Sequence, residues 1–399
     1  MDRIVIAGAS IAGVSAAREL RRHGYQGSIA LIDQDPLVAY RRPEVSKGLL
    51  SGAVSTETMK VPTPADLDLA LMSGATLEGL DPQAQTVHVA DIEGVTQKVG
   101  YDRLVIATGS EARPSPFSPT LQRVHTLRTS ADALAMKADL DRAKDVVIVG
   151  AGFIGLEVAA VARSLGKSVT VIEAAEIPLS RVLGDTFGTH IAQKHRTAGV
   201  NLVLGDGVAR LGSGGDGTVS HVELTSGGIV PADVVLVAIG SRPATAWLEN
   251  SGLPLGDGVE LDETCAVHGF EGTIVAAGDV ASWTNPLYER RMRVEHWTNA
   301  IEQAAYAARR IHGAHDPAGF SSAPYFWSDQ FGQKIQSIGS SFGFTDETVL
   351  DQTDDAILVA YSRGDRLLSI AGMNAGTRVM MMRKHVLDGV PVDSLEVAA

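Results

Sequence analysis

The chain has 399 residues, 45% of them hydrophobic and 20% charged, and a formal net charge of −13. Such a balance predicts a globular protein of about two or three domains, because one core seldom grows past roughly 250–300 residues. It excludes a disordered chain, a membrane-spanning one, which needs an apolar run of about 20 residues, and a general nucleic-acid binder, which needs a basic face.

Through the first three quarters, short β-branched runs alternate with Ala-rich helical stretches, the pattern of parallel sheets with crossover helices. The segment "MDRIVIAGASIAG" predicts a strand over Ile4–Ala7, a turn over Gly8–Gly13 and a helix to about His23, stopped by Gly24. A strand that begins almost at Met1 leaves no room for a leader segment, so a cytoplasmic location is expected. The next strand, Ile29–Ile32, ends at Asp33. "ARPSPFSP" (Ala112–Pro119) carries three prolines and suits an extended connector between domains. A second unit then repeats the first: strand Val146–Val149, turn Gly150–Gly155, helix to Leu165, and strand Val169–Ile172 ending at Glu173. "IVPADVVLVAIGSRP" (Ile229–Pro243) reads as a buried strand and another crossing between domains. The Gly/Pro/Ser segment His312–Pro324 precedes a C-terminal piece with mixed strand signals, where "VMMM" (Val379–Met382) suits core packing.

In the second unit Gly150, Gly152 and Gly155 complete the dinucleotide fingerprint: a tight turn, room for a pyrophosphate, and close helix–strand packing. The phosphates then meet free N–H groups at the helix start. Glu173 suits a ribose diol and repels a 2′-phosphate, and "EAAEIP" brings no basic residue near it, so NADH is expected over NADPH. The first fingerprint has Ser10 at the middle glycine, a small side chain whose hydroxyl can donate to phosphate, and Asp33 closes it in the ribose position. "LVIATGS" (Leu104–Ser110) and "TIVAAGDV" (Thr273–Val280) each run a strand into a small-residue turn, and Asp279 there can accept from a ribityl hydroxyl. The single cysteine, Cys265, rules out an internal disulfide, a CxxC pair and cysteine-rich metal sites; no metal centre is expected, and Cys265 reads as a small buried residue.

Taken in order, GASIAG, RPEVSK (42–47), LVIATGS, GAGFIGLEVA, AAGDV (276–280), EHWTNAIEQA (295–304) and FWSDQ (326–330) resemble the FAD-dependent pyridine-nucleotide reductases of the glutathione-reductase structural superfamily. Within it, the chain is most similar to ferredoxin reductases of cytochrome P450 and ring-hydroxylating dioxygenase systems. The resemblance implies an α/β fold with two Rossmann-like domains, for FAD and NAD, and a C-terminal α+β interface domain. The implied boundaries are 1–110 for the first part of the FAD domain, 111–234 for the NAD domain, 235–316 for the rest of the FAD domain and 317–399 for the C-terminal domain.

By the same resemblance, FAD is held by Gly8, Ser10, Ala12, Gly13, Asp33 and Gln34, by Arg42, Pro43 and Lys47, and by Leu77, whose backbone lies beside the adenine part. Ala107, Thr108 and Gly109, Arg128, Gly278 and Asp279, and Glu295, His296 and Trp297 complete that set. Trp327 is implied near the isoalloxazine where a partner docks; core packing is the alternative for it. The coenzyme falls to Gly150, Gly152, Phe153, Ile154, Gly155, Glu157 and Glu173, with Ile239 and Gly240. Pro43 sets an extended backbone before a predicted helix on whose first turns Lys47 falls. The resemblance pairs Lys47 with Glu157 as catalytic residues, Glu157 orienting the nicotinamide carboxamide and Lys47 favouring the anionic reduced flavin. Glu44 stands where the family usually has Pro or Ala, and either affects the flavin potential or faces solvent.

Without a cysteine at the Lys47 box, thiol and peroxide chemistry is not expected, which leaves a one-electron acceptor such as a [2Fe–2S] ferredoxin. The expected alternatives are a rubredoxin reductase, an NADH oxidase or a redox-sensing protein resembling apoptosis-inducing factor. Arg290, Arg291, Arg293, Arg309 and Arg310 form a candidate basic docking patch, with a solvated arginine face as its alternative. A monomer or weak homodimer is expected.

Overall fold

A computed structural model describes residues 2–62, 67–117 and 121–395; Ser118 and Pro119 of the proline-rich connector lie outside them. The chain forms two contact-dense units. One comprises Met1–Arg41, Met59–Glu111 and Arg242–Pro324; the other comprises Arg42–Thr58, Ala112–Ser241 and Tyr325–Ala399.

The first unit is built on a five-stranded parallel sheet, in the order Ile274–Ala276, Arg103–Ile106, Arg3–Ala7, Ser28–Asp33, Leu69–Ser73. Ile4 to Ala7 are all buried, as expected of a central parallel strand covered on both faces. The helices Ile11–Arg22 and Trp297–His312 pack together, and both bury small residues, among them Ala12, Ala16, Ala300 and Ala304. Each fully buried aliphatic chain here, such as Ile6, Leu20 or Leu104, contributes roughly 1.5–3 kcal/mol.

The second unit repeats the plan with the order Asn201–Leu204, Ser168–Glu173, Asp145–Val149, Val234–Val237, Val124–His125, again all parallel. Both predicted strand–turn–helix runs are present within a residue or so: Arg3–Ala7 with Ile11–Arg22, and Asp145–Val149 with Phe153–Ser164. The C-terminal piece is a five-stranded antiparallel sheet, in the order Tyr325–Gln330, Gln333–Gly339, Arg366–Met373, Ile357–Arg363, Asp346–Gln352.

That sheet is tied to the Ser180–Thr197 helix, which breaks at Gly184 (φ 69°, ψ 176°). The Glu347 carboxylate accepts from Asp185 N at 3.0 Å and Thr186 N at 3.1 Å, and so caps the restarted helix. A Cβ at Gly184 would sit 2.1 Å from Glu347 Oε1, so this approach needs glycine. The Tyr361 hydroxyl donates to Leu183 O, and Lys194 pairs with Asp355 at 3.0 Å.

Three local expectations are corrected. Pro43 lies within a short 3-10 turn, Arg42–Glu44, not in extended backbone. Lys47 precedes a helix of only four residues, Gly48–Ser51, which Gly52 (φ 83°) ends. In the Met cluster, Val379 and Met382 are buried, but Met380 and Met381 are 43% and 66% exposed. Helical spacing explains it: positions three apart share the inner face and the two between them point away.

Candidate functional site

The two glycine cradles share one backbone geometry. Gly8 and Gly150 have φ 108° and 104°, outside the range of ordinary side chains. Their N–H groups donate to Ile32 O at 2.7 Å and Ile172 O at 2.8 Å. A Cβ at Gly8 would lie 2.2 Å from Ala107 O, and one at Gly150 2.4 Å from Ala238 O. Helix and strand then close on a second glycine: a Cβ at Gly13 would meet Gly8 O at 1.9 Å, and one at Gly155 would meet Gly150 O at 2.1 Å.

Gly152 differs from these in kind, since a Cβ there would meet nothing within 4 Å. The open space over a helix start, beside N–H groups without helical partners, is what a pyrophosphate requires. Ser10 has the same backbone as Gly152, with φ −76°, ψ −168° against φ −75°, ψ 178°. It makes no side-chain cap bond, so its hydroxyl remains available to a phosphate. The residues present therefore fit a dinucleotide at each cradle.

The closing acids share a further device. Asp33 accepts from Ala9 N at 2.6 Å and Asp35 N at 2.8 Å; Glu173 accepts from Ala151 N at 2.8 Å and Ala175 N at 2.9 Å. Each carboxylate oxygen has two lone pairs, so clipping the glycine loop leaves acceptor capacity for a ribose diol. No Lys or Arg among the described residues forms an ion pair with Glu173.

Around the first cradle, Gly278 packs against Ala12 and Ala300, each at a helix start, and its N–H donates to Gln303 Oε1 at 2.9 Å. Asp279 follows and accepts from Ser110 Oγ at 3.3 Å. Thr108 Oγ1 donates to Ala244 O at 2.9 Å, holding the Ala107–Gly109 turn. His296 stands just before the helix that Trp297 begins, and burial pushes its imidazole down to about 4, so the ring is neutral. Glu295 is paired with Arg293. Leu77 is half-buried; Ala75 N donates to Asp33 O at 2.9 Å, which brings that strand to the Asp33 end of the sheet, and Gln34 is exposed there.

In the second unit, Glu157 is 5% exposed yet carries a carboxylate. Lys47 Nζ lies 2.8 Å from Glu157 Oε1, Ser328 Oγ donates to the same oxygen at 2.5 Å, and Ser46 Oγ donates to Oε2 at 2.5 Å. Three donors fill three of about four acceptor sites, and one on Oε2 remains. Lys47 Nζ also donates to Pro43 O at 3.3 Å. Arg42 Nη1 donates to Arg128 O at 3.3 Å, and Arg128 N to Asp132 Oδ2 at 3.0 Å. The Glu44 carboxylate folds over Gly48, where a Cβ would meet Oε2 at 2.5 Å.

Phe153 packs on Phe326 with ring centroids 4.8 Å apart, while Ile154 and Ile239 are 41% and 37% exposed. Gly240 (φ 102°) accepts from Arg113 N at 3.0 Å. Strand alternation puts Phe326, Ser328 and Gln330 on one face of Tyr325–Gln330. Trp327 is on the other face, half-buried, with its ring 6.2 Å from that of Tyr325. Ser46, Ser328, Gln330 and His195 carry polar contacts here that sequence reading did not assign, although Ser46 adjoins Lys47 and FWSDQ contains two of them.

The candidate basic patch is largely consumed within the first unit. Arg291 donates to Leu261 O and Ser282 O, at 3.2 and 2.8 Å. Arg293 is paired with Asp257 at 2.9 Å and with Glu295, and Arg309 with Glu19 at 2.5 Å. Two of the five arginines are thus answered by carboxylates, and Arg291 by backbone carbonyls. Cys265 is fully buried at φ 62°, and burial pushes its thiol up, so it is no redox thiol.

The family model for pyridine nucleotide-disulphide oxidoreductase matches residues 2–304, and that for the reductase C-terminal domain matches 325–399. The rhodocoxin reductase of Rhodococcus erythropolis is 33% identical, covering 98% of this chain and 90% of that protein. The ferredoxin–NAD(+) reductase component of the anthranilate 1,2-dioxygenase system of Burkholderia cepacia is 34% identical, covering 100% of this chain and 97% of that protein. A chain of the covalent putidaredoxin reductase–putidaredoxin complex superposes with a TM-score of 0.92 at 30% identity, covering 98% of this chain and 94% of its own.

Proposed function

The chain belongs to the pyridine nucleotide-disulphide oxidoreductase family, and from that premise we propose that it is an NADH-dependent flavoprotein reductase. It passes electrons through FAD to a [2Fe–2S] ferredoxin serving a P450 or a ring-hydroxylating dioxygenase. Two cradles of one build carry this reading: the Gly8–Gly13 turn takes FAD and the Gly150–Gly155 turn takes NADH. FAD, when bound, accepts a hydride as an electron pair and can release the electrons singly to a one-electron acceptor. The only cysteine is sealed in the core, which disfavours a thiol or peroxide as the outlet.

The protein's own residues bind and orient. Glu157, locked by Lys47, Ser46 and Ser328, offers its remaining Oε2 lone pair to an N–H of the nicotinamide carboxamide. A fixed acceptor spends no reorganisation when the ring arrives. Lys47 supplies positive charge that favours the reduced, anionic flavin. Asp33 and Glu173 take the ribose diols, and Ser10 donates to a phosphate of FAD.

Lys47→Ala and Glu157→Gln should each slow flavin reduction in stopped flow by at least about tenfold, the worth of one charge-assisted contact, with FAD still bound. Reduction of both variants at the wild-type rate would remove the pair from the mechanism. Turnover should be fast with a [2Fe–2S] ferredoxin and slow with rubredoxin or with oxygen alone; the reverse order would replace the proposed acceptor.

A further inference from the structure

Beyond Glu157 runs a line of polar groups that neither cradle uses. Ser328 Oγ donates to Glu157 Oε1 at 2.5 Å, Gln330 Nε2 donates to Ser328 Oγ at 3.1 Å, and Gln330 Oε1 lies 2.8 Å from His195 Nε2. Ser328, Gln330 and His195 are 1%, 5% and 1% exposed. Two belong to the first strand of the C-terminal sheet and one to the Ser180–Thr197 helix.

The direction of the chain follows from the charge at its end. An ionised carboxylate only accepts, so the Ser328 proton points at Glu157. Ser328 Oγ must then accept from Gln330, which turns the amide N–H group toward Ser328 and its oxygen toward His195. That oxygen only accepts, so His195 carries its proton on Nε2. His195 Nδ1, buried and without a partner among the described residues, is left bare, and burial holds the imidazole below its ordinary range, hence neutral. Every donor faces Glu157. An amide does not pass protons on readily, so the line is a brace and not a proton wire.

We propose that Ser328, Gln330 and His195 are positioning residues, which hold the Glu157 carboxylate in one orientation for the nicotinamide. The inference rests on the reading of Glu157 given above. Without the His195 donor the Gln330 amide is free to turn over. Its oxygen then competes for the Ser328 proton, and the carboxylate loses a restraint.

The test uses the FAD-loaded enzyme, with FAD content and Tm recorded for each variant. Ser328→Ala should slow flavin reduction at saturating NADH about tenfold; Gln330→Met and His195→Phe should slow it about three- to fivefold, the range of one neutral hydrogen bond. His195→Gln, which keeps a donor near the Nε2 position, should recover most of the loss in His195→Phe. ADP-ribose affinity by calorimetry should stay unchanged in all of them, while the ratio of NAD+ to ADP-ribose affinity falls. In the Ser328→Ala background Gln330→Met should cost nothing further, because it acts through that hydroxyl.

Additive losses, no recovery with His195→Gln, or wild-type rates in the chain variants while Glu157→Gln is slow would each overturn this inference alone. A wild-type rate in Glu157→Gln would instead overturn the reading of Glu157 beneath it. Should Gln330→Met fail to fold, Ser328→Ala and the two His195 variants still decide the matter.

Discussion

Gly13 and Gly152 are both cradle glycines, yet for different physical reasons. At Gly13 a methyl group would be driven to 1.9 Å from a backbone oxygen; at Gly152 it would enter empty space. Gly13→Ala should therefore lower Tm and weaken FAD retention, since the helix must shift at a cost of roughly 1–3 kcal/mol. Gly152→Ala should leave Tm nearly unchanged and raise the Kd for NADH, because only the ligand meets the added methyl. Thermal melts paired with coenzyme titrations separate the two, and an equal loss of Tm in both would contradict the distinction. Glu173 acts at the same scale. With no basic partner among the described residues to offset it, its charge should make kcat/KM for NADH exceed that for NADPH by at least about tenfold, the effect of one contact worth 1.4 kcal/mol; comparable values would refute this. These residues were legible in the sequence because their work is local: a turn, a helix start and an acid at the next strand end.

Among elements, the Ser180–Thr197 helix shows how a tertiary partner completes what local sequence leaves open. Gly184 breaks it, and the freed N–H groups at Asp185 and Thr186 are satisfied by Glu347, 162 positions from Asp185. Glu347→Ala should cost about 1 kcal/mol, the usual worth of a helix cap. In urea the midpoint should fall with the slope unchanged; an unaltered midpoint would mean that water caps the helix equally well. The Lys47 segment makes the same point. Its residues announce a helix, but glycines at 48 and 52 allow only four residues of it, and Lys47 is held by an ion pair instead of by helical geometry.

For the whole molecule, the balance of −13 must be reconciled with a ferredoxin that the family resemblance implies is acidic. The Arg290–Arg310 cluster does not supply the obvious answer, since Arg293 and Arg309 already answer Asp257, Glu295 and Glu19. Charge governs the encounter of any two proteins of like net charge. Electron transfer to ferredoxin should depend on salt between about 20 and 300 mM, where the Debye length falls through the range of surface charges. The effect should appear in KM for ferredoxin and not in flavin reduction by NADH. A flat profile in both would mean that docking is apolar.

Taken alone, the sequence determined the two strand–turn–helix cradles and the acids that close them, because glycine spacing and strand composition act over a few residues. Only the tertiary structure decided which distant groups meet. Glu157 is bonded to Ser46 and Ser328, separated from it by 111 and 171 positions, and Arg309 to Glu19 by 290. A buried carboxylate must find donors wherever the fold brings them, since leaving it bare costs several kcal/mol. The identity of those donors is a property of the packed sheet and helices, and no local pattern of residues encodes it.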